Sequence, residues 1–343
     1  MRTIRSPPPT LRLPVAEALS GGLLVARPVL SVTMPTRNRP ELLERALRSL
    51  VTAMAPVAEH VEITVSDGSD ADASGRVVER VLGAWPGGHR YVWNRPALTL
   101  VENMNRAAEL ATGEWVQQLD DDDLMLPECG QPMIDVLRRA TPHEQVLVFG
   151  AHIVDASGAK QREQTFEREQ YLSPREALRR LLRNSSFVRE PMVVVRRSAL
   201  VEAGLFELEV GDVTDLDMWV KLFSRHGARC LPVTTCAYTI HEAAATTGMW
   251  NPRTIEVLGT VFDRAAASGV VPEREVRRWQ ADYIHQFILA GVYRRLRVRR
   301  RAEARDVLQL FRLPAVKALG PSPKWLPVRL AFTTATAIPL WAA

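Results

Sequence analysis

Between residues 29 and 119, short apolar runs alternate with segments of helical periodicity, and this alternation restricts the fold more than any other feature of the chain. Val29–Met34 is an apolar, β-branched run that reads as a buried strand, ended by Pro35. Pro40 suits a first helical position, and Glu41–Met54 carries Leu43, Ala46, Leu47 and Leu50 on one helical face. The cycle repeats with strand Val61–Val65, the turn Ser66-Asp67-Gly68-Ser69, helix Ala73–Leu82 and strand Arg90–Trp93. Helix Leu100–Ala111 follows, with Gly113 as its C′ residue, and then strand Glu114–Leu119. Strands and helices in this order form βαβ units, so the expected fold is α/β, a mostly parallel sheet flanked by helices. Ligands of such sheets bind outside the carboxyl ends of the strands. The polar turns after Met34, Val65 and Leu119 therefore gather on one edge, with Asp67 and the run Asp120–Asp123 in one crevice.

Further along, Gln145–Ile153 reads as a strand leading into a turn at Asp155–Gly158, and Pro174–Arg183 as a helix. Pro191–Val195 reads as a strand, Arg197–Ala203 as a short helix stopped at Gly204, and Asp215–Arg225 as a helix closed by Gly227. Arg229–Thr239 is an extended stretch that reaches His241. Residues 273–312 are strongly helical, with Val276, Trp279, Tyr283, Phe287 and Ile288 as a buried stripe. Three regions are expected: a flexible extension over 1–28, an α/β catalytic domain over 29–245, and a helical C-terminal region over 246–343 that associates with a membrane or a partner.

The N-terminal segment does not read as a signal peptide, because Arg2 and Arg5 are followed by Pro7-Pro8-Pro9 instead of an apolar core. No run is long and apolar enough to span a bilayer. Cys129, Cys230 and Cys236 are odd in number and lack a paired spacing, which argues against a disulfide framework and points to a reducing compartment. The expected location is the cytoplasm, with room for contact at the inner face of the membrane.

Four consecutive carboxylates repel one another by roughly 1–4 kcal/mol per close pair. A solvated acidic loop tolerates that. At a strand exit, Asp120–Asp123 fits better with a hard divalent cation, Mn²⁺ or Mg²⁺, which takes oxygen ligands and bridges carboxylates to substrate phosphates.

The strings around these residues resemble family 2 glycosyltransferases. Leu119-Asp-Asp-Asp-Asp-Leu-Met-Leu-Pro127 resembles that family's D-x-D segment, and Asn103–Trp115 its helix leading into the D-x-D strand. Val32–Arg39 is similar to its first strand and turn, and Ser66–Asp70 to its D-D-G-S turn. The resemblance implies a GT-A fold and a nucleoside diphosphate sugar donor, UDP-, GDP- or TDP-linked. Pro35, Thr36, Arg39, Asn105, Asp120 and Asp121 would bind that donor, Asp67 would accept a hydrogen bond from its base, and Asp122 would contact the metal. Thr214–Lys221 resembles the family's E-D-x-D-L-W helix start, with Thr214 in place of the Glu, which makes Asp215 the expected general base. Plain helix capping is the alternative role for Asp215. Asp217 and Trp219 would contact acceptor or orient loops, and His241 would reach the metal or the diphosphate.

The expected function is thus inverting transfer of a sugar to an acceptor hydroxyl, the acceptor being a lipid-linked glycan in many members of this family. The basic run Arg294–Arg301 is expected either as a solvated helix or, with the apolar tail Trp325–Ala343, as a peripheral contact with anionic lipid. No aromatic interleaving accompanies it, so nucleic acid is not an expected partner. A nucleotidyltransferase would need a glycine-bearing loop where Pro35–Arg39 stands. A non-catalytic binding relative would be expected to lack Asp122 or Asp215, and a membrane adaptor leaves the aspartates unexplained.

Overall fold

The computed structural model of the chain describes residues 27–240 and 248–337. His241 and most of the N-terminal extension lie outside the described residues. The first half follows the alternation: β1 (Leu30–Thr36), α1 (Pro40–Met54), β2 (Val61–Asp67), α2 (Ala73–Leu82), β3 (Gly88–Trp93), α3 (Leu100–Leu110), β4 (Trp115–Gln118). β1 pairs in parallel with β2 on one side and with β4 on the other, and β2 pairs in parallel with β3. Strand order therefore reverses direction beside β1, the point at which such a sheet opens a crevice. Leu43, Ala46, Leu47 and Leu50 are all fully buried, because the α1 stripe lies on the sheet as its spacing requires.

After β4 come β5 (Leu124–Met125), α4 (Gly130–Arg139), β6 (Val146–Asp155), β7 (Lys160–Gln164), β8 (Gln170–Leu172), α5 (Pro174–Arg183), β9 (Val193–Arg196), α6 (Arg197–Glu202), α7 (Thr214–His226) and β10 (Ala228–Ile240). The order across the sheet is β3-β2-β1-β4-β9-β6-β10-β5, with β7 on β6 and β8 on β10. β9 runs antiparallel to both β4 and β6, so its beginning lies beside the end of β4. The strand expected from Pro191 starts later, because Glu190–Met192 forms a 3-10 turn first.

The C-terminal region is helical: α8 (Pro252–Ala267), α9 (Glu273–Arg297), α10 (Arg301–Gln309), α11 (Pro314–Ala318) and α12 (Leu326–Ala337). α8 was not legible as a helix, although Asn251 caps it by accepting from the Thr254 amide and Pro252 occupies its first turn. The basic run does not form one helix: α9 stops at Arg297, Arg299 takes a left-handed conformation (φ 60°), and α10 starts at Arg301. Among the described residues no helix is long and apolar enough to cross a membrane. The three cysteines are free and buried.

Gly113 does not end α3 in the manner of a helix cap. Ala111 already leaves the helix in an extended conformation. Gly113 instead presses against β1, where a Cβ would lie 2.6 Å from Ser31 Oγ and 2.8 Å from Ser31 N. Its amide donates to Ser31 Oγ (2.8 Å) and Glu62 Oε1 (3.0 Å), joining β1, β2 and the entry to β4 at the edge away from the crevice. Gly113→Ala is expected to lower the unfolding free energy by about 1–3 kcal/mol, the usual cost of forcing extra atoms into a packed site, as read from a urea melt.

Candidate active site

β1 ends in Pro35 and Thr36, and β4 runs through Gln118 and Leu119 into Asp120. Their ends open into a cavity of about 630 Å³. Its near wall holds Pro35, Thr36, Arg39, Asn103 and Asp120–Asp122; the 184–190 segment and the start of α7 form another side. The C-terminal helices close it with Trp250, Tyr283, Phe287 and Arg294.

The four aspartates are dispersed by their partners. Asp121 turns toward β1, accepting from Thr36 Oγ1 (2.8 Å) and Arg39 Nη1 (3.2 Å). The same Arg39 nitrogen lies 3.3 Å from Asp122 Oδ2. Asp120 accepts from Gln118 Nε2 (2.9 Å), and Asp123 from the Thr239 amide on β10 (2.8 Å). Carboxylate oxygens of Asp120, Asp122 and Asp123 come within 4.8 Å of one another, and the buried Asp123 Oδ2 has no hydrogen-bond partner. Three convergent oxygens, one of them buried and unpaired, suit a hard divalent cation. Burial, with the charges of Asp122 and Asp121, pushes the Asp120 carboxyl up to about 7. Burial also raises Asp121, opposed by Thr36 and Arg39, and raises Asp123 well above the usual range.

Asp215 stands in the first turn of α7, and its Oδ1 accepts from the Leu216 amide at 2.7 Å. It is exposed to the cavity, which the surrounding protein partly encloses. That enclosure raises its pKa, against the hydrogen bond from Leu216 and the charge of Arg189. The Arg189 guanidinium lies over the Tyr238 ring, 4.9 Å from its centroid. Beside it, Glu190 is 7% exposed, and its Oε2 has no hydrogen-bond partner. Neither Arg189 nor Glu190 was singled out by the sequence, since nothing local marks them; only the antiparallel approach of β9 to β4 brings them here.

The expected site residues divide. Pro35, Thr36, Arg39, Asp120, Asp121, Asp122 and Asp215 line one cavity. Asp67 does not: it is fully buried, and its two oxygens accept from the Ser69 amide and the Tyr91 hydroxyl, both at 2.8 Å. Asn105 also points away, since two residues on a helix rotate a side chain by about 200°. It clamps the backbone of Phe206, donating to the carbonyl (2.8 Å) and accepting from the amide (2.9 Å). Asn103 faces the cavity instead, donating to the Thr36 carbonyl and accepting from Ser66 Oγ. Asp217 is 1% exposed and lies 2.8 Å from Arg264 Nε on α8 and 3.3 Å from Lys221 Nζ. Trp219 is buried and stacked on Phe223. Both therefore hold α7 in place, and neither lines the cavity. Thr99 forms a capping box with Glu102 at the start of α3.

With the geometry in view, the comparisons with known proteins are specific. The family model for glycosyl transferase family 2 matches residues 31–204. The protein MT1568 of Mycobacterium tuberculosis, itself uncharacterised, is 27% identical over 233 residues, 65% of this chain and 70% of that one. A GalNAc(5)-diNAcBac-PP-undecaprenol beta-1,3-glucosyltransferase of Campylobacter jejuni is 28% identical over 200 residues, 57% of this chain and 60% of the relative. Among solved structures, S. aureus TarS in complex with UDP-GlcNAc superimposes with a TM-score of 0.63 at 17% identity, over 90% of this chain and 88% of that one. The mannosyltransferase PcManGT of Pyrobaculum calidifontis, in complex with GDP-Man and Mn²⁺, gives 0.53 at 20% identity, over 91% and 86%. At these identities the structural likeness concerns the fold, a GT-A sheet with added C-terminal helices.

The acidic cavity sets a pH dependence of stability. Asp120 has a folded pKa raised to about 7, against about 3.9 for an unfolded aspartate. Its proton is held more tightly in the folded chain, so its contribution is full below about pH 4 and is lost as pH rises through about 7. Without metal, the midpoint of thermal unfolding is expected to fall across that window, and Asp120→Asn is expected to flatten the fall in parallel scans.

Proposed function

The chain belongs to glycosyl transferase family 2; it is a glycosyltransferase that draws on a nucleotide sugar, and we propose that it works by a single inverting displacement with Asp215 as general base. What supports this reading above all is the sharing of one cavity by Asp215 and Asp120–Asp122, near enough for Asp215 to disturb the ionisation of Asp120. A donor diphosphate beside the acidic group places its sugar between that group and Asp215. The Asp215 carboxylate accepts the acceptor hydroxyl proton as that oxygen bonds to the anomeric carbon. The bond from that carbon to the diphosphate breaks, and the nucleoside diphosphate leaves with the electron pair. A raised pKa makes Asp215 a stronger base than a solvated aspartate.

Asp122, with Asp120 and Asp123, would hold Mn²⁺ or Mg²⁺, which when bound offsets charge on the diphosphate. Pro35, Thr36 and Arg39 line the donor side, and Arg39 adds a cation beside the same acids. The donor is UDP-, GDP- or TDP-linked. On the acceptor side, the stacked pair Trp250 and Phe287, with Arg294 over the Trp250 ring, offers an apolar platform and a guanidinium. That surface fits a glycan carrying an anionic group, such as the lipid-linked class named in the Campylobacter relative.

A lipid-linked acceptor would bring the enzyme to a membrane surface. Leu326 and Leu330 on α12, with Tyr293 and Val298 near the end of α9, are exposed, and Arg297, Arg299 and Arg300 are exposed alongside them. Apolar side chains among arginines suit the interface of an anionic bilayer.

Three expectations follow for the purified protein. UDP, GDP or TDP with Mn²⁺ should raise the melting temperature, one of them most, by the equivalent of about 2.7 kcal/mol at a hundred times its Kd. Asp215→Asn should keep that shift and lose about 10²–10⁴-fold in turnover; wild-type rates in that variant would remove Asp215 from the role. Sedimentation with vesicles should show binding to phosphatidylglycerol-rich membranes and none to neutral phosphatidylcholine, with the binding weakened by salt and by Arg299→Glu combined with Arg300→Glu.

A further inference from the structure

Glu190 is a charged residue type in a place where, among the described residues, no cation forms an ion pair with it. It is 7% exposed, its Oε2 makes no hydrogen bond, and it lines the donor cavity. An unpaired buried polar group of this kind is costly, and most folded chains avoid it. The chain holds it firmly all the same. Glu190 opens the 3-10 turn before β9, and Gln117 Nε2 on β4 donates to the carbonyl of the next residue, Pro191, at 2.6 Å. The turn is thereby fastened beside the end of β4, where Asp120 emerges.

The surroundings say what the carboxyl would meet. The charges felt at Glu190 come from Asp215 on α7 and from Asp120 and Asp123 after β4. Arg189 on its own turn directs its guanidinium carbon over Tyr238. Glu190 thus lies between the group that would hold the diphosphate and the group that would take the acceptor proton. The anomeric carbon has one bond to the diphosphate and receives the acceptor oxygen, so the transferred ring must occupy the space between those two groups.

We infer that Glu190 is a specificity-determining residue that hydrogen-bonds a hydroxyl of the transferred sugar from the wall of the cavity. This rests on the donor reading above. A buried polar group left unpaired without its partner discriminates strongly against analogues that lack the hydroxyl. Burial first, then the three neighbouring carboxylates, raises its pKa well above the usual range, which favours the neutral acid as hydrogen-bond donor. Glu190 also borders a void of about 20 Å³ with Trp219, large enough for a single water. A purely structural role through such a water is the rival that the experiment must separate.

The experiment measures nucleoside diphosphate release with Mn²⁺ from UDP-glucose, UDP-N-acetylglucosamine, GDP-mannose and TDP-glucose, and from their mono-deoxy counterparts. Water serves as acceptor, and wild type, Glu190→Ala and Glu190→Gln are compared. Glu190→Ala is expected to lose about 10- to 100-fold in kcat/KM with the full donor. It should lose far less with the one deoxy donor that lacks the partnered hydroxyl, and Glu190→Gln, which keeps an N–H donor, should recover part of the loss. If Glu190→Ala keeps wild-type kcat/KM, or falls equally with the full donor and every deoxy donor, the assignment is overturned. A lowered melting temperature with unchanged discrimination among donors overturns it in favour of the structural role. No release by wild type from any donor overturns the donor reading itself and this assignment with it.

Discussion

Five carboxyl groups line one cavity and a sixth, Asp123, is buried beside them, and the rest of the site is arranged around that repulsion. Asp120–Asp123 cannot be separated along the chain, so they are separated in direction. Asp121 turns to Thr36 and Arg39, Asp123 to the Thr239 amide, and Asp120 to Gln118. These tethers come from β1, β4, α1's entry and β10, which makes the acidic turn the place where the two halves of the sheet are fastened together. Asp215 and Glu190 add two further acids from α7 and the turn before β9. Nearby, Arg39 and Arg189 supply positive charge. Opposed charges at low dielectric are expensive to assemble, and a negatively charged substrate accompanied by a cation gives such an assembly its use.

The sequence carried the parts of this that depend on neighbours in the chain. The apolar runs around Val32, Ile63 and Val116 announced a parallel sheet, and the aspartates after Leu119 announced a site at its edge. Asp215 was legible because helix-start chemistry and a family resemblance met at one residue. What was not legible depended on rotation and on distant pairing. Asn103 and Asn105 differ by two positions, enough to exchange a cavity wall for a clamp on Phe206. Asp67 sits at a turn like a ligand-binding acid, but Ser69 and Tyr91 occupy both its oxygens. Glu190 acquires meaning only once β9 reverses direction between β4 and β6, a fact no local window contains. Gly113, read as a helix cap, is needed because β1 passes too close for a side chain.

The C-terminal helices were the least readable region, and they finish the cavity. α9 leaves a gap at Gly291, where a Cβ would fall 2.3 Å from the Trp250 ring, so the indole seats against the helix and donates to the Phe287 carbonyl. Periodicity showed that α9 had a buried stripe. It gave no sign that part of that stripe, Tyr283 and Phe287, would line the cavity as well, with Tyr283 also packed edge-on against Phe262 of α8.

The ion cluster beneath α7 has a wider consequence. Asp217 meets Arg264 and Lys221, and both of these also meet Glu207, so α7, α8 and the segment before α7 share one knot of charge. The helix that carries Asp215 is thus tied directly to α8, the first of the C-terminal helices. In the proposed mechanism, a shift of α8 on α7 would therefore move the base and the acceptor side together. Exchange of the C-terminal helices would take Arg264 away from Asp217 and Glu207, leaving two acids short of a cation at the foot of the helix that carries Asp215.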